Sequence, residues 1–225
     1  CVNSDRKSYS WQRVNCSYEK GLYMRIERVE SLDKRKCKVF TDEDFAFLLY
    51  NGELEKYGVC EGAVLEERTE RELLDLLSRR AHERALNLLK VQDRTEGEMC
   101  RRLFQDGYPD SIVQETIGFL QEYHFVDDAR YAANYLQVHG TRKSQAELKL
   151  YLQRKGISRE IIREQLEETE HDSGEAIRVL LEKKHYKAGE TAPEEEKKII
   201  AYLMRRGFSW EDIRREMKER EDAFS

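Results

Sequence analysis

Residues 151–158 read YLQRKGIS, and residues 202–209 read YLMRRGFS. Five of the eight letters are identical, and two more keep their character: Lys155/Arg206 are basic and Ile157/Phe208 apolar. A looser copy, RLFQDGYP, fills residues 102–109. The three glycines, Gly107, Gly156 and Gly207, stand 49 and 51 residues apart. Self-similarity at such a period is the mark of a repeat architecture.

Each copy sits in the same setting. Upstream lies an apolar helical stretch: AHERALNLLKV from Ala81, DARYAANYLQVH from Asp128 and GEAIRVLLEKKH from Gly174. A polar turn follows, with a candidate cap: Thr95 with Glu98 three residues on, Ser144 with Glu147, and Thr191 before Pro193. A hydroxyl followed three residues later by Glu is a capping box, and proline suits a first helical turn. A second helix carries Leu103, Leu152 or Leu203 and stops at the glycine, which enters the left-handed region without a Cβ penalty. Pro109, Ser158 or Ser209 then opens a third helix. The spacing predicts a mainly α protein of three tandem three-helix bundles, each of about 50 residues.

The rest of the chain frames this array. Residues 1–21 are expected to be a disordered leader. Residues 22–65 are expected to be a small β-rich extension: LYMRIERVE, KCKVF, FAFLLY and EGAVL read as strands, and NGELEKYGV as a short helix closed by Gly58. Residues 66–124 hold a lead-in helix and the first repeat, 125–171 the second, and 172–225 the third. The lead-in pattern through Leu73, Leu76, Leu77, Ala81, Ala85 and Leu88 fits one long helix or two with a break near Ser78. Tyr123, Tyr131, Tyr135 and Tyr151 fall largely at core spacing, with one or two available to stack on bases.

Composition sets limits. Of 225 residues, 38% are charged and only two are proline, and the net charge is −5. Any polyanion contact must therefore come from a local patch. Residues 141–159 supply one: six cations against the single acid Glu147, a local charge of +5. On a helical projection Arg142 and Lys149 fall on one flank, and Lys143 and Arg154 on the other. This strip (Arg142, Lys143, Lys149, Arg154, Lys155), with Arg205 and Arg206, is the candidate binding set for a phosphate backbone or an acidic groove. The competing reading makes the pairs before each glycine partners of the negative helix end.

Catalytic patterns are missing. There is no phosphate-binding G-x-x-x-x-G-K-[ST] loop, no G-x-G-x-x-G and no H-E-x-x-H. Five histidines are scattered, which gives no metal-ligand spacing, and Asp127-Asp128 read as an N-cap and a first-turn acid. No catalytic residue, metal or cofactor is expected. Five cysteines without a C-x-x-C pair suit a reducing compartment, and no apolar run spans a membrane, so a cytoplasmic placement is expected; the chain is expected to be a monomer.

The phrases FVDDARYAANYL (125–136), SQAELKLYLQRKGIS (144–158) and YLMRRGFS (202–209) together resemble the bacterial RecX family, regulators of the RecA recombinase. The FTDEDFAF and LEKYGVCEG stretches resemble the family's β-containing extension, with Asp42-Glu43-Asp44 in place of a tighter D-G turn. The resemblance covers about residues 22–219. It implies an elongated, curved array that binds the groove of a RecA–single-stranded-DNA filament. It also implies suppression of RecA's ATPase, strand-exchange and co-protease activities in recombination and DNA repair, without catalysis. This chain is more acidic than the strongly basic members, so direct DNA binding is expected to be weak. A sequence-independent DNA-binding module and a helical scaffold for another protein are the alternatives.

Overall fold

The computed structural model describes residues 24–42, 46–169 and 173–224. The expected leader lies outside them, as do Glu43 and Asp44 of the second turn.

The chain opens with a three-stranded antiparallel sheet, in the order β1 (Ile26–Ser31), β2 (Lys36–Thr41), β3 (Ala46–Tyr50). Asp33 shapes the first hairpin turn, its carboxylate accepting from the amides of Arg35 at 2.6 Å and Lys36 at 2.9 Å. Alternation puts Cys37, Val39 and Thr41 on the buried face with Phe47 and Leu49. A short helix, α1 (Asn51–Tyr57), ends at Gly58 in the left-handed region. The expected strand at EGAVL does not form. Gly62 turns at φ +78°, and only Arg25 and Val64 bridge, so the segment lies beside β1 as an irregular edge.

One continuous helix, α2 (Glu67–Leu89), leads into the array, without a break at Ser78. Its 23 residues span about 34 Å. That length lets one helix serve two cores. Leu73, Leu77 and Ala81 pack with Ile26, Val39, Phe47 and Leu49 of the sheet. Ala85, Leu86 and Leu88 pack with α3 (Glu96–Gln105) and α4 (Asp110–Glu122) around Met99, Leu103, Val113, Ile117 and Leu120.

The second bundle is α5 (Asp128–His139), α6 (Gln145–Lys155) and α7 (Arg159–Glu168), around Leu136, Leu148, Leu152, Ile162 and Leu166. The third is α8 (Gly174–Lys183), α9 (Pro193–Arg205) and α10 (Trp210–Phe224), around Ile177, Leu181, Leu203, Ile213 and Met217. The leucine of the repeated phrase is wholly buried in all three: Leu103, Leu152 and Leu203 are each 0% exposed. Truncating such a side chain to alanine costs roughly 2–5 kcal/mol.

Caps set where these helices begin. Thr95 and Ser144 close capping boxes with Glu98 and Glu147, and Asp127 caps α5 through the amide of Arg130 at 2.9 Å. The third repeat departs from expectation. Its N-cap is Ala192, with Pro193 in the first turn, because the Thr191 hydroxyl is engaged with the backbone of Lys187.

Candidate functional site

The second and third copies of the repeated phrase lie at joints between bundles. The C-terminal end of α6 meets the N-terminal end of α3, and the C-terminal end of α9 meets the N-terminal end of α6. At the first joint the Thr95 hydroxyl donates to the Lys155 carbonyl at 2.6 Å, and Lys155 Nζ donates to Glu98 Oε1 at 2.6 Å. At the second, the Ser144 hydroxyl donates to the Arg206 carbonyl at 2.5 Å, and Arg206 Nη2 donates to Glu147 Oε1 at 2.6 Å. Each capping box therefore has two tasks. Its hydroxyl and acid start their own helix, and they also hold the basic residue and carbonyl that end another.

The helix ends complement each other electrically, since a C-terminal carbonyl end faces an amino end. The ion pairs are shielded too: the Lys155 and Glu98 side chains are 24% and 17% exposed. Each pair holds its cation protonated. The bond to Glu98 raises the pKa of Lys155 against the opposing pull of burial, and the bond to Glu147 does the same for Arg206.

The glycines fit the same contact. Gly156 and Gly207 have φ of +98° and +87°. A Cβ on Gly156 would come within 3.0 Å of the Gly97 Cα, and one on Gly207 would overlap the Ala146 methyl. The first copy of the phrase docks elsewhere. A Cβ on Gly107 would run into Leu48 of the sheet, and Asp106, standing where the other copies carry Lys155 and Arg206, binds Arg84 at 2.7 Å.

The seven sequence-predicted residues thus divide. Lys155 and Arg206 are joint residues. Lys143 is also engaged: its Nζ donates to the Tyr135 hydroxyl at 2.5 Å and lies over the Tyr135 and Tyr151 rings. Those rings stack at 4.0 Å and 6°, and Lys155 lies over Tyr151 from the other end of α6. Burial is the main cause that pushes the Tyr131 hydroxyl, 3.5 Å from that of Tyr151, up to about 12. These three tyrosines are half-buried, whereas Tyr123, also expected in the core, is 60% exposed at the end of α4.

Arg142, Lys149, Arg154 and Arg205 are exposed, and no carboxylate of the described residues pairs with them. The two-flank projection fails for Arg142 and Lys143. Ser144 caps α6, so Arg142 lies in a short 3-10 turn (Gly140–Arg142) and Lys143 in extended backbone. Lys149 and Arg154 are exposed on opposite flanks of α6, as the projection has them, and Arg205 takes the place of Arg154 on α9. The second role of Glu98 and Glu147 is one that sequence reasoning misses. Its only trace is that a capping box in one repeat comes with a basic residue and glycine in the next.

Among the described residues no cluster of His, Cys, Asp and Glu fits a metal ion, and no helix is long and apolar enough to cross a membrane. The fold defines a helical-repeat protein with jointed bundles and exposed cations on its second helices. Family models for the first and third three-helix domains of RecX match residues 81–120 and 172–217. The regulatory protein RecX of Clostridium tetani is 33% identical over 208 residues, which cover 90% of this chain and 86% of the relative. That of Clostridium acetobutylicum is 27% identical over 203 residues, covering 86% and 95%. The chain belongs to the RecX family. Its fold is similar to a crystal structure of regulatory protein RecX, at a TM-score of 0.60 and 22% identity over 87% of this chain and 99% of that one. It is also similar to RecX from Lactobacillus salivarius, at 0.56 and 23%, over 65% and 97%.

Proposed function

We propose that this protein is a non-enzymatic regulator, mainly an inhibitor, of the RecA recombinase. It binds along the groove of the RecA–single-stranded-DNA filament and lowers ATPase, strand-exchange and co-protease activity. The observation that carries this reading is a set of exposed cations, Arg142, Lys149, Arg154 and Arg205, with no carboxylate partner among the described residues. They stand on bundles fixed to one another by two like joints. Exposed cations without a carboxylate partner are available to a polyanion, whose condensed counterions they release on binding. An array that grips one filament state better than another shifts the filament by that difference in affinity. The protein acts in the cytoplasm as a monomer, a placement that the free thiols of Cys37, Cys60 and Cys100 support.

The test is the single-stranded-DNA-dependent ATPase of a cognate RecA with this protein titrated in. Binding to naked DNA is measured beside it at the same salt. Suppression well below the concentration that coats naked DNA supports the filament as target. Suppression only where naked DNA is already coated favours a plain DNA-binding module. Suppression unchanged by R142E, K149E, R154E and R205E together removes those cations from the interaction.

A further inference from the structure

The first repeat carries a second basic feature, separate from the strip on α6 and α9. Leu88, Arg94, Glu98, Arg101, Arg102 and Gln105 line an open cleft of about 460 Å³ between the end of α2 and the outer side of α3. Its one carboxylate, Glu98, is already held by Lys155. The Nε groups of Arg94 and Arg102 are both shut off from solvent and make no hydrogen bond. Arg102 Nε lies 3.4 Å from Asp106 Oδ2 but out of line for a bond, and that oxygen accepts instead from Arg84. A buried donor without an acceptor is unfavourable, and more so when charged.

Arg102 suits its place in the last turn of α3, with Asp106 four residues on, but helix stability does not account for Arg94. Arg94 directly precedes the N-cap Thr95, where a cation opposes the positive helix end. Arg101 reaches the Lys155 carbonyl at 3.3 Å through one nitrogen, which leaves most of its donors open. Three guanidinium groups line a space whose one carboxylate is already paired, with the Gln105 amide as the remaining polar side chain. Their planar forks match the paired oxygens of a phosphoryl group.

We propose that this cleft is a phosphate-binding site, with the outer guanidinium nitrogens of Arg94 and Arg102 as its donors and Arg101 at its rim. The phosphoryl group belongs to a nucleic-acid backbone or to a free phosphate compound. Because Arg101 and Glu98 both touch Lys155, the site adjoins the first joint, and its occupant contacts the element that links bundles one and two. The proposal stands whether or not RecA is the partner.

The arginine Nε–H resonances of the intact protein are followed by NMR at constant ionic strength, with inorganic phosphate in one arm and a short thymidine oligonucleotide in the other. Saturable shifts at Arg94 and Arg102 are expected. Shifts with the oligonucleotide alone identify the backbone phosphodiester as the source, and equal shifts with inorganic phosphate identify a free phosphoryl group. No shift with either probe, or the same shift with sodium chloride, overturns the site. R94Q and R102Q should each weaken binding about tenfold, as expected for one charge-assisted hydrogen bond. R94K with R102K keeps the charge and loses the fork; wild-type affinity in that variant would reduce the cleft to diffuse charge and also overturn the proposal. If the glutamine variants unfold, the wild-type resonances decide alone.

Discussion

Lys155 Nζ donates to Glu98 Oε1 at 2.6 Å across 57 residues of chain. Glu98 is at once the third residue of its own helix and the acceptor for the last residue of another. The pair is shielded enough to exceed a surface ion pair, so a double-mutant cycle on Glu98→Gln and Lys155→Gln should give a coupling of about 1–2 kcal/mol. Urea unfolding of the four proteins measures it. A coupling near zero would show that the hydroxyl and glycine contacts hold the joint without the charges.

Gly207→Ala should be costly for two separable reasons. The backbone at φ +87° costs about 1–2 kcal/mol for any L side chain, and the new methyl meets that of Ala146. Combining it with Ala146→Gly removes the methyl overlap and leaves the backbone cost and a 3.2 Å approach to the Ser144 hydroxyl. Thermal unfolding of the single and double variants separates the two, and the double should recover part of the loss.

The exposed and engaged cations should separate in experiment. Arg154→Glu and Arg205→Glu are expected to leave the unfolding midpoint nearly unchanged while weakening binding to a RecA filament. They should also flatten its salt dependence, by about 0.7 in log–log slope for each phosphate no longer neutralised. Lys155→Gln and Arg206→Gln should lower stability. Filament affinity measured across a salt series on all four decides it, and equal binding losses in both groups would contradict the division.

His139 gives the pH dependence. Burial, and then the charges of Lys143 and Arg142, hold its pKa below 6.5. The folded state thus prefers neutral imidazole. That contribution to stability is fully present above pH 6.5 and is lost as pH falls through the lower folded value. His139→Gln should therefore lose less stability than the parent on acidification. A polyanion seated on Arg142 would relieve the repulsion and raise the His139 pKa, which an NMR titration of free and bound protein reads directly.

The thiols should differ in rate. Cys60 is exposed, whereas Cys100 is half-buried and pushed up to about 11, chiefly by burial and then by Glu96 and Asp110. Alkylation at about pH 8 with peptide mapping should label Cys60 well before Cys100, since the thiolate is the reacting form.

Local signals make most of the fold readable. Leu103, Leu152 and Leu203 recur at fixed offsets, and Thr95–Glu98 and Ser144–Glu147 lie within one helical turn. The joints are hidden because their partners are 57 to 62 residues apart. The basic residues before Gly156 and Gly207 are legible as helix-end cations. That Lys155 and Arg206 also bridge to another bundle depends on packing that no helical projection contains. Arg142 and Lys143 fall off the projected flanks because the projection runs through the Ser144 cap. Tyr123 escapes the core because a helix terminus can leave an aromatic at core spacing uncovered.

The joint also has a consequence for descent. Socket (hydroxyl, small residue, Glu) and plug (basic residue, glycine) are carried on the same second helix in the middle repeat, one at each end, so that repeat can join a like unit on either side. Removing residues that span one full period would bring the Arg206 plug to the Thr95–Glu98 socket with matching chemistry. Asp106 at one end and Ala192 at the other break the pattern, the first because it faces a sheet and the second because it offers no hydroxyl. Copy number can therefore change by unequal exchange between repeats while the ends stay fixed, and in this fold the unit of heredity is the bundle with its two fittings.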